Sequence, residues 1–338
     1  MALHRTTAVT GLRTAPVTGL RHDIGTALSV TAGQPELWLI GALSFSLRGG
    51  IVLLTLPILV LPTQVEVRLA LGSHLGSTGL TAGFWALIGA ATIVLTLIAV
   101  AVLSLLARLE LAAFERLWVD PEVEAMGLPT DVAPPSRIGH GAALLTRLFA
   151  VQALTLVALL ISAVPLAASI GQATLDEILR PSSGASIYLR VLGDVLPTLV
   201  LVAALLPLLD ALSALTSREL LVARLVPSDR ARGPSLVSAF TGALGGVVRA
   251  PLRMLGTVAV AWLVTLSAVL GVGWGLGVAW QATRASFLAT TSVADLFSDV
   301  APFLVALMLS AVFCGGLATC GFVSAFRSAL WTISRLHR

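Results

Sequence analysis

Long apolar runs alternate with short polar segments along the chain. A helix of about 20 apolar residues, at about 1.5 Å rise per residue, is long enough to cross the hydrocarbon core of a bilayer. Six runs reach that length and predict six transmembrane helices. Three helical hairpins in an all-α, polytopic membrane protein are the predicted architecture. The approximate spans are 37–61, 81–106, 142–168, 191–212, 255–280 and 301–325.

The N-terminal residues 1–36 lack a long apolar run and contain a tandem Thr-, Gly- and Arg-bearing tract. Such a segment has too little apolar surface to build a core. It is predicted to be a disordered cytoplasmic tail, followed by a six-helix membrane domain over residues 37–338.

Arginines in the connections predict the orientation of the bundle. Fifteen lie in the tail, the second and fourth connections and the C-terminus, whereas four lie in the alternate connections. Positively charged residues are enriched on the cytoplasmic side of membrane proteins. Both termini are therefore predicted to be cytoplasmic, in a multi-pass protein of the cell membrane.

Composition agrees with a membrane protein, because 57% of residues are hydrophobic and 11% are charged. The two cysteines lack CxxC spacing, and the five histidines are scattered without ligand spacing. The sequence contains no HExxH, GxSxG or nucleotide-binding fingerprint. It thus predicts no metal site, no cofactor, no nucleic-acid partner and no recognisable enzyme activity.

Arg48 is the sharpest candidate for a functional residue, because it falls near the middle of the first predicted span. A charge at that depth is costly and needs a partner. Asp210 and Asp194, both in the fourth span, are the candidate partners, and Asp210 is the easier to reach. Two interpretations stay open: a site for an anionic ligand, or an internal ion pair that holds the bundle together.

The fourth connection is rich in arginine and is predicted to contact anionic lipid headgroups. Within it, residues 235–250 are interpreted as a helix lying in the membrane plane, or as a cytosolic extension of the fifth span. The candidate headgroup ligands are Arg218, Arg224, Arg230, Arg232, Arg249 and Arg253.

Small residues predict close packing between the fifth and sixth spans. Gly271 and Gly275 form a GxxxG spacing, and Cys314 and Gly321 belong to a seam of small residues on the sixth span. This pattern indicates helix packing and says little about function.

Segments at the ends of the spans predict further helices. Residues 107–118 and 217–225 are expected to continue the second and fourth helices into water. Short outer helices are expected to begin at the capping signals Thr63-x-x-Glu66, Thr174-x-x-Glu177 and Ser292-x-x-Asp295.

Two functions follow from these features. The first is a membrane binding or scaffold component that contacts other membrane proteins or anionic lipids. The alternative is a transporter or permease subunit, with an ATPase subunit as its partner and a polar site around Arg48 and Asp210 inside the membrane. Topology alone does not separate them.

Overall fold

The computed structural model describes residues 19–58, 75–76, 79–118, 142–179, 187–225, 235–289 and 300–336. These residues are almost entirely helical. The helices are α1 (Leu20–Gly33), α2 (Pro35–Phe45), α3 (Ile51–Thr55), α4 (Ala82–Trp118), α5 (Ala142–Leu179), α6 (Ile187–Leu225), α7 (Leu236–Arg249), α8 (Pro251–Ala289) and α9 (Ala301–Leu336). A two-residue antiparallel pair joins β1 (Leu75–Gly76) and β2 (Gly79–Leu80).

Within the described residues, six helical segments are long and apolar enough to cross a membrane, which agrees with the predicted number of spans and the all-helical class. They are Pro35–Thr55, Ala82–Trp118, Ala142–Ala173, Val191–Ala223, Pro251–Leu288 and Phe303–Leu336. Placement of both termini in the cytoplasm stays a prediction.

The first span is broken rather than a single regular helix over residues 37–61. A π-helical turn at Ser46–Gly50 separates α2 from α3, and a 3₁₀ turn follows at Leu56–Ile58. Gly49 has φ 88° and ψ 8°, outside the helical region. Glycine adopts this conformation readily because it lacks Cβ. Residues 59–61 lie outside the described part of the chain.

Residues 20–33, expected to be disordered, form helix α1, so that expectation is wrong for this segment. Asp23 is fully buried, and its carboxylate lies 2.5 Å from Arg253 Nη2 of α8. Ala27 and Val30 are buried in the same core cluster as Phe326 of α9. Paired charge and apolar burial together offset the entropy of ordering the segment.

The helix ends expected to enter water are buried instead. Leu111 and Phe114 near the end of α4 pack in one cluster with Leu148 of α5 and Leu220 of α6. The predicted continuation of both helices is thus confirmed, but the expectation that these ends are exposed to water is wrong. These two helix ends carry both acidic and basic residues, and the apolar residues between the charges form the cluster.

Helices α8 and α9 pack along each other, but only some of the small residues predicted for this contact lie where two helices approach closely. A Cβ added to Gly321 of α9 would lie 2.6 Å from the backbone oxygen of Trp38, so α9 and α2 meet backbone to backbone. The expected partner of Gly321 was α8. Gly271 has open space around it and Cys314 is exposed, so neither packs as predicted. A Cβ added to Gly275 of α8 would lie 3.7 Å from Val312 Cγ1 of α9, an ordinary van der Waals contact.

Residues 235–250 form a separate helix, α7, in which the Ser235 side chain accepts a hydrogen bond from Ser238 N. Ala250 has φ −138° and ψ 63°, so the chain leaves the helical conformation before Pro251. The interpretation as an extension of the fifth span is therefore wrong. A position in the membrane plane stays a prediction.

The expected outer helix start at Thr174 is also wrong, because α5 runs without interruption through this residue to Leu179. The signals at Thr63 and Ser292 lie outside the described residues.

Candidate functional site

A cavity of about 760 Å³ lies within the bundle and is lined by residues from all six spans. Most of its surface is apolar, with leucines contributed by every span except α9. A cavity of this size and character is typical of a small-molecule site, for which volumes of about 300–1,000 Å³ are usual. Any ligand it accepts must present an apolar surface to most of the wall.

Five charged side chains lie together on the polar part of the wall. They come from four separate elements: the turn between α2 and α3, helix α4, helix α6 and helix α9. The five residues are Arg48, Glu110, Asp210, Arg218 and Arg327.

Two close ion pairs join these elements. Arg218 Nη1 lies 2.8 Å from Glu110 Oε1, which connects α6 to α4. Arg327 Nη2 contacts Asp210 Oδ2, which connects α9 to α6. Each pair joins a full positive and a full negative charge, so the two together are neutral.

Arg48 is the third cation and lies between the two pairs. Its Nη2 is 3.6 Å from Glu110 Oε2, and its Nη1 is 3.7 Å from Asp210 Oδ1. Its side chain is 39% exposed, compared with 1% for Arg218 and 17% for Arg327. The five charges therefore leave one positive charge in excess, and Arg48 is the most accessible carrier of it.

The other two arginines are held by further contacts. Arg218 Nη2 donates a hydrogen bond of 2.6 Å to Ser328 Oγ, and its guanidinium lies 5.9 Å from the centre of the Phe114 ring. The Arg327 guanidinium lies 5.7 Å from the Trp262 ring. Cation–π contacts of this kind favour a fixed orientation of the guanidinium plane. These contacts make Arg218 and Arg327 the constrained members of the cluster.

Several buried N–H groups on lining residues have no hydrogen-bond partner among the described residues. They are the Nε atoms of Arg218 and Arg327 and the indole nitrogens of Trp262 and Trp331. All four groups are donors, and none is an acceptor. Together with the excess positive charge, they make this region complementary to an anion or another acceptor.

The structure places the predicted residues Arg48 and Asp210 together in this cluster. Asp194 does not join them: it is exposed, and it lies sixteen residues before Asp210, or about 24 Å along the helix axis. The sequence reasoning missed Glu110 and Arg327 because both lie beyond the predicted ends of their spans. Continuing the helical period past those ends is the signal that would have found them.

The arginines predicted to bind lipid headgroups differ in their burial and in their ion pairs. Arg218 is buried beside Glu110, so its assignment to lipid headgroups is wrong. Arg253 is paired with Asp23, while Arg249 is exposed at the end of α7. The Arg224 side chain, and Arg230 and Arg232 as a whole, lie outside the described residues.

In comparisons with protein-family models, curated proteins and solved structures, no match to this chain was found.

Proposed function

We propose that this protein binds an amphipathic anion, a molecule with one anionic head and an apolar chain, in the cavity between its spans. The observation that supports this most directly is the charge balance. Each of the two close ion pairs is neutral by itself, and Arg48 adds a third cation beside them. This is a sharper form of the membrane-binding function that the sequence suggests.

The charge has a physical consequence within an apolar cavity. An ionised side chain removed from water costs several kcal/mol unless an opposite charge or hydrogen bonds offset it. Glu110 lies closer to Arg218 than to Arg48, and Asp210 lies closer to Arg327 than to Arg48. An anionic head near Arg48 would balance the remaining charge, and its attraction would be strong at low dielectric.

The rest of the wall selects an apolar chain. Leu95, Ile98 and Leu159 are among the lining residues contributed by α4 and α5. A fully hydrated small anion would leave this surface without a partner. Burial of a chain against it is favourable by about 25 cal/mol per Å² of apolar area removed from water.

Three probes with the same ten-carbon chain test the proposal: decanoate, decyltrimethylammonium and decanol. Decanoate is expected to raise the melting temperature of the purified protein, because a ligand that binds only the folded state stabilises it. The other two probes should have little effect. In Arg48→Gln, about tenfold more decanoate should be needed for the same rise in melting temperature, since the substitution removes one charge-assisted contact.

The matched control is Arg108→Gln, which neutralises an exposed arginine outside the cavity-lining set. It should leave the decanoate response unchanged. If Arg48→Gln lowers the melting temperature without ligand and decanoate stabilises both proteins equally, Arg48 is a structural member of the ion-pair network and the binding proposal fails.

A second candidate function is transport of the same class of anion, and the break in the first span favours it. Gly49 interrupts the helix directly after Arg48. Interrupted helices at substrate sites are a recurrent feature of secondary transporters. With an ATPase partner, a permease subunit would drive export against a gradient; without one, it would let the anion move down its gradient, which is what the uptake assay measures.

The test is uptake of radiolabelled decanoate into proteoliposomes, with Gly49→Ala as the variant. Alanine at φ 88° is strained by about 1–2 kcal/mol, so the substitution favours a regular helix and should lower uptake severalfold. Gly89→Ala is the control, because Gly89 lies in regular helix with open space around it. Equal uptake by both variants would contradict a role of the break in transport.

A further inference from the structure

Helix α7 has one face packed on the bundle and another left uncovered. Ala239 and Ala243 are buried in clusters that include Leu220 and Leu215 of α6. An exposed apolar row lies elsewhere on the helix. This row consists of Val237, Phe240, Leu244 and Val248. In a membrane protein, such an amphipathic helix is suited to the boundary between headgroups and acyl chains.

A second pocket, of about 390 Å³, adjoins this helix. It shares no lining residue with the central cavity. Two glycines of α7 leave part of its wall without side chains, and three arginines from three helices contribute positive charge. The residues that matter here are Glu219, Gly242, Gly246, Arg249, Arg253 and Arg335.

Two of the three arginines are already paired. Arg335 contacts Glu219 through two atoms, with Nε at 2.6 Å from Oε1 and Nη2 at 2.7 Å from Oε2. Arg253 lies 2.5 Å from Asp23. Arg249 is exposed and makes no ion pair with any residue in the described ranges. Among the described residues, its guanidinium therefore carries an uncompensated positive charge at the pocket.

We infer that this pocket binds a phosphate group, with Arg249 as the main ligand and Arg335 as a second, fixed cation. A guanidinium can donate two parallel hydrogen bonds to phosphate oxygens. The carboxylates of Glu219 and Asp23 hold Arg335 and Arg253 in place and leave a net charge of one for the ligand.

Phosphate chemistry of this kind comes either from a phospholipid headgroup or from free phosphate. The exposed apolar residues beside Arg249 favour the headgroup, because Val248 and Leu252 are 77% and 84% exposed and would contact acyl chains. The inference goes beyond anion binding in the cavity, since it concerns a separate pocket on a separate helix.

Native mass spectrometry of the detergent-solubilised full chain tests this inference by counting bound lipids. The probes are phosphatidylglycerol, phosphatidylcholine and inorganic phosphate. Wild-type protein should retain phosphatidylglycerol in preference to phosphatidylcholine. Arg249→Gln should weaken phosphatidylglycerol binding about fivefold, as expected for loss of one exposed charge-assisted contact, whereas Arg249→Lys should retain most of it.

Arg108→Gln again serves as the control, because it removes an exposed arginine that is equally without a described ion pair. It should bind phosphatidylglycerol like wild type. If inorganic phosphate binds with the same dependence on Arg249, the pocket is a phosphate site whose ligand is soluble. If Arg249→Gln and Arg108→Gln retain phosphatidylglycerol equally and inorganic phosphate does not bind, the inference is overturned.

The two proposals fail separately. Arg48→Gln should keep the Arg249-dependent phosphatidylglycerol adduct even where it loses the response to decanoate. Arg249→Gln should show the reverse behaviour, because its side chain is absent from the cavity wall.

Discussion

Asp23 and Glu36 lie at the same end of the chain, and each pairs with an arginine from a distant helix. The Asp23 side chain is 0% exposed beside Arg253, whereas Glu36 is 64% exposed beside Arg116. Removing one partner of a buried pair leaves an uncompensated charge, while an exposed pair is screened by solvent. Both sites are carboxylate–arginine ion pairs, so they allow a direct comparison of a buried pair with an exposed one.

Replacing each acid by its amide should give very different losses of stability. Asp23→Asn is expected to lower the free energy of unfolding by about 3 kcal/mol, and Glu36→Gln by less than about 1 kcal/mol. Thermal melting of the two variants in the same detergent is the measurement. Equal shifts would contradict the argument that burial makes the Asp23–Arg253 pair the more costly one to break.

At the central cluster, sequence reasoning identified Arg48 because an arginine in an apolar run has an obvious energetic cost. Asp210 followed as the acidic residue within reach on another span. Glu110 and Arg327 could not be selected in the same way, since each occurs in a segment with several other charges. The continued helical period places each of them on a definite face of its helix, and the three-dimensional packing shows that this face lines the cavity.

The same limit applies to whole elements. Hydropathy places the apolar centres of the helices well, because a lipid-facing surface must be apolar. It does not locate helix ends: α4 continues to Trp118 and α9 to Leu336, past residues whose charges are neutralised by pairing. The end of a span in hydropathy is therefore not the end of its helix.

Helix α1 and the break in the first span were missed for related reasons. Helix α1 is only weakly apolar, and it is held by contacts such as Asp23 with Arg253 that join residues far apart in sequence. Gly49-Gly50 was visible in the sequence, but glycine is common inside transmembrane helices. The glycine pair marks a position where a break is permitted, but the local pattern does not show whether the helix breaks there.

Across the whole molecule, the most extensive contacts between the described helices involve only a few pairs of helices. Helix α9 packs along both α2 and α8, and α5 packs along α6. The central cavity lies where these groups meet, with α4 completing its wall. Many large apolar side chains of α4 and α5, including Leu97, Leu154 and Ile161, are exposed outside the cavity wall and are suited to contact lipid.

The orientation of this bundle is the remaining whole-molecule prediction. Fifteen arginines against four in the connections predict cytoplasmic termini, because positive charge is retained on that side during insertion. In a bacterial host, green fluorescent protein fused after residue 338 should fluoresce. Alkaline phosphatase, active only outside the cytoplasm, should be active when fused after residue 183, in a predicted outer connection, and inactive when fused after residue 338. The reversed pattern would place α7 and Arg249 on the outer surface and contradict the orientation.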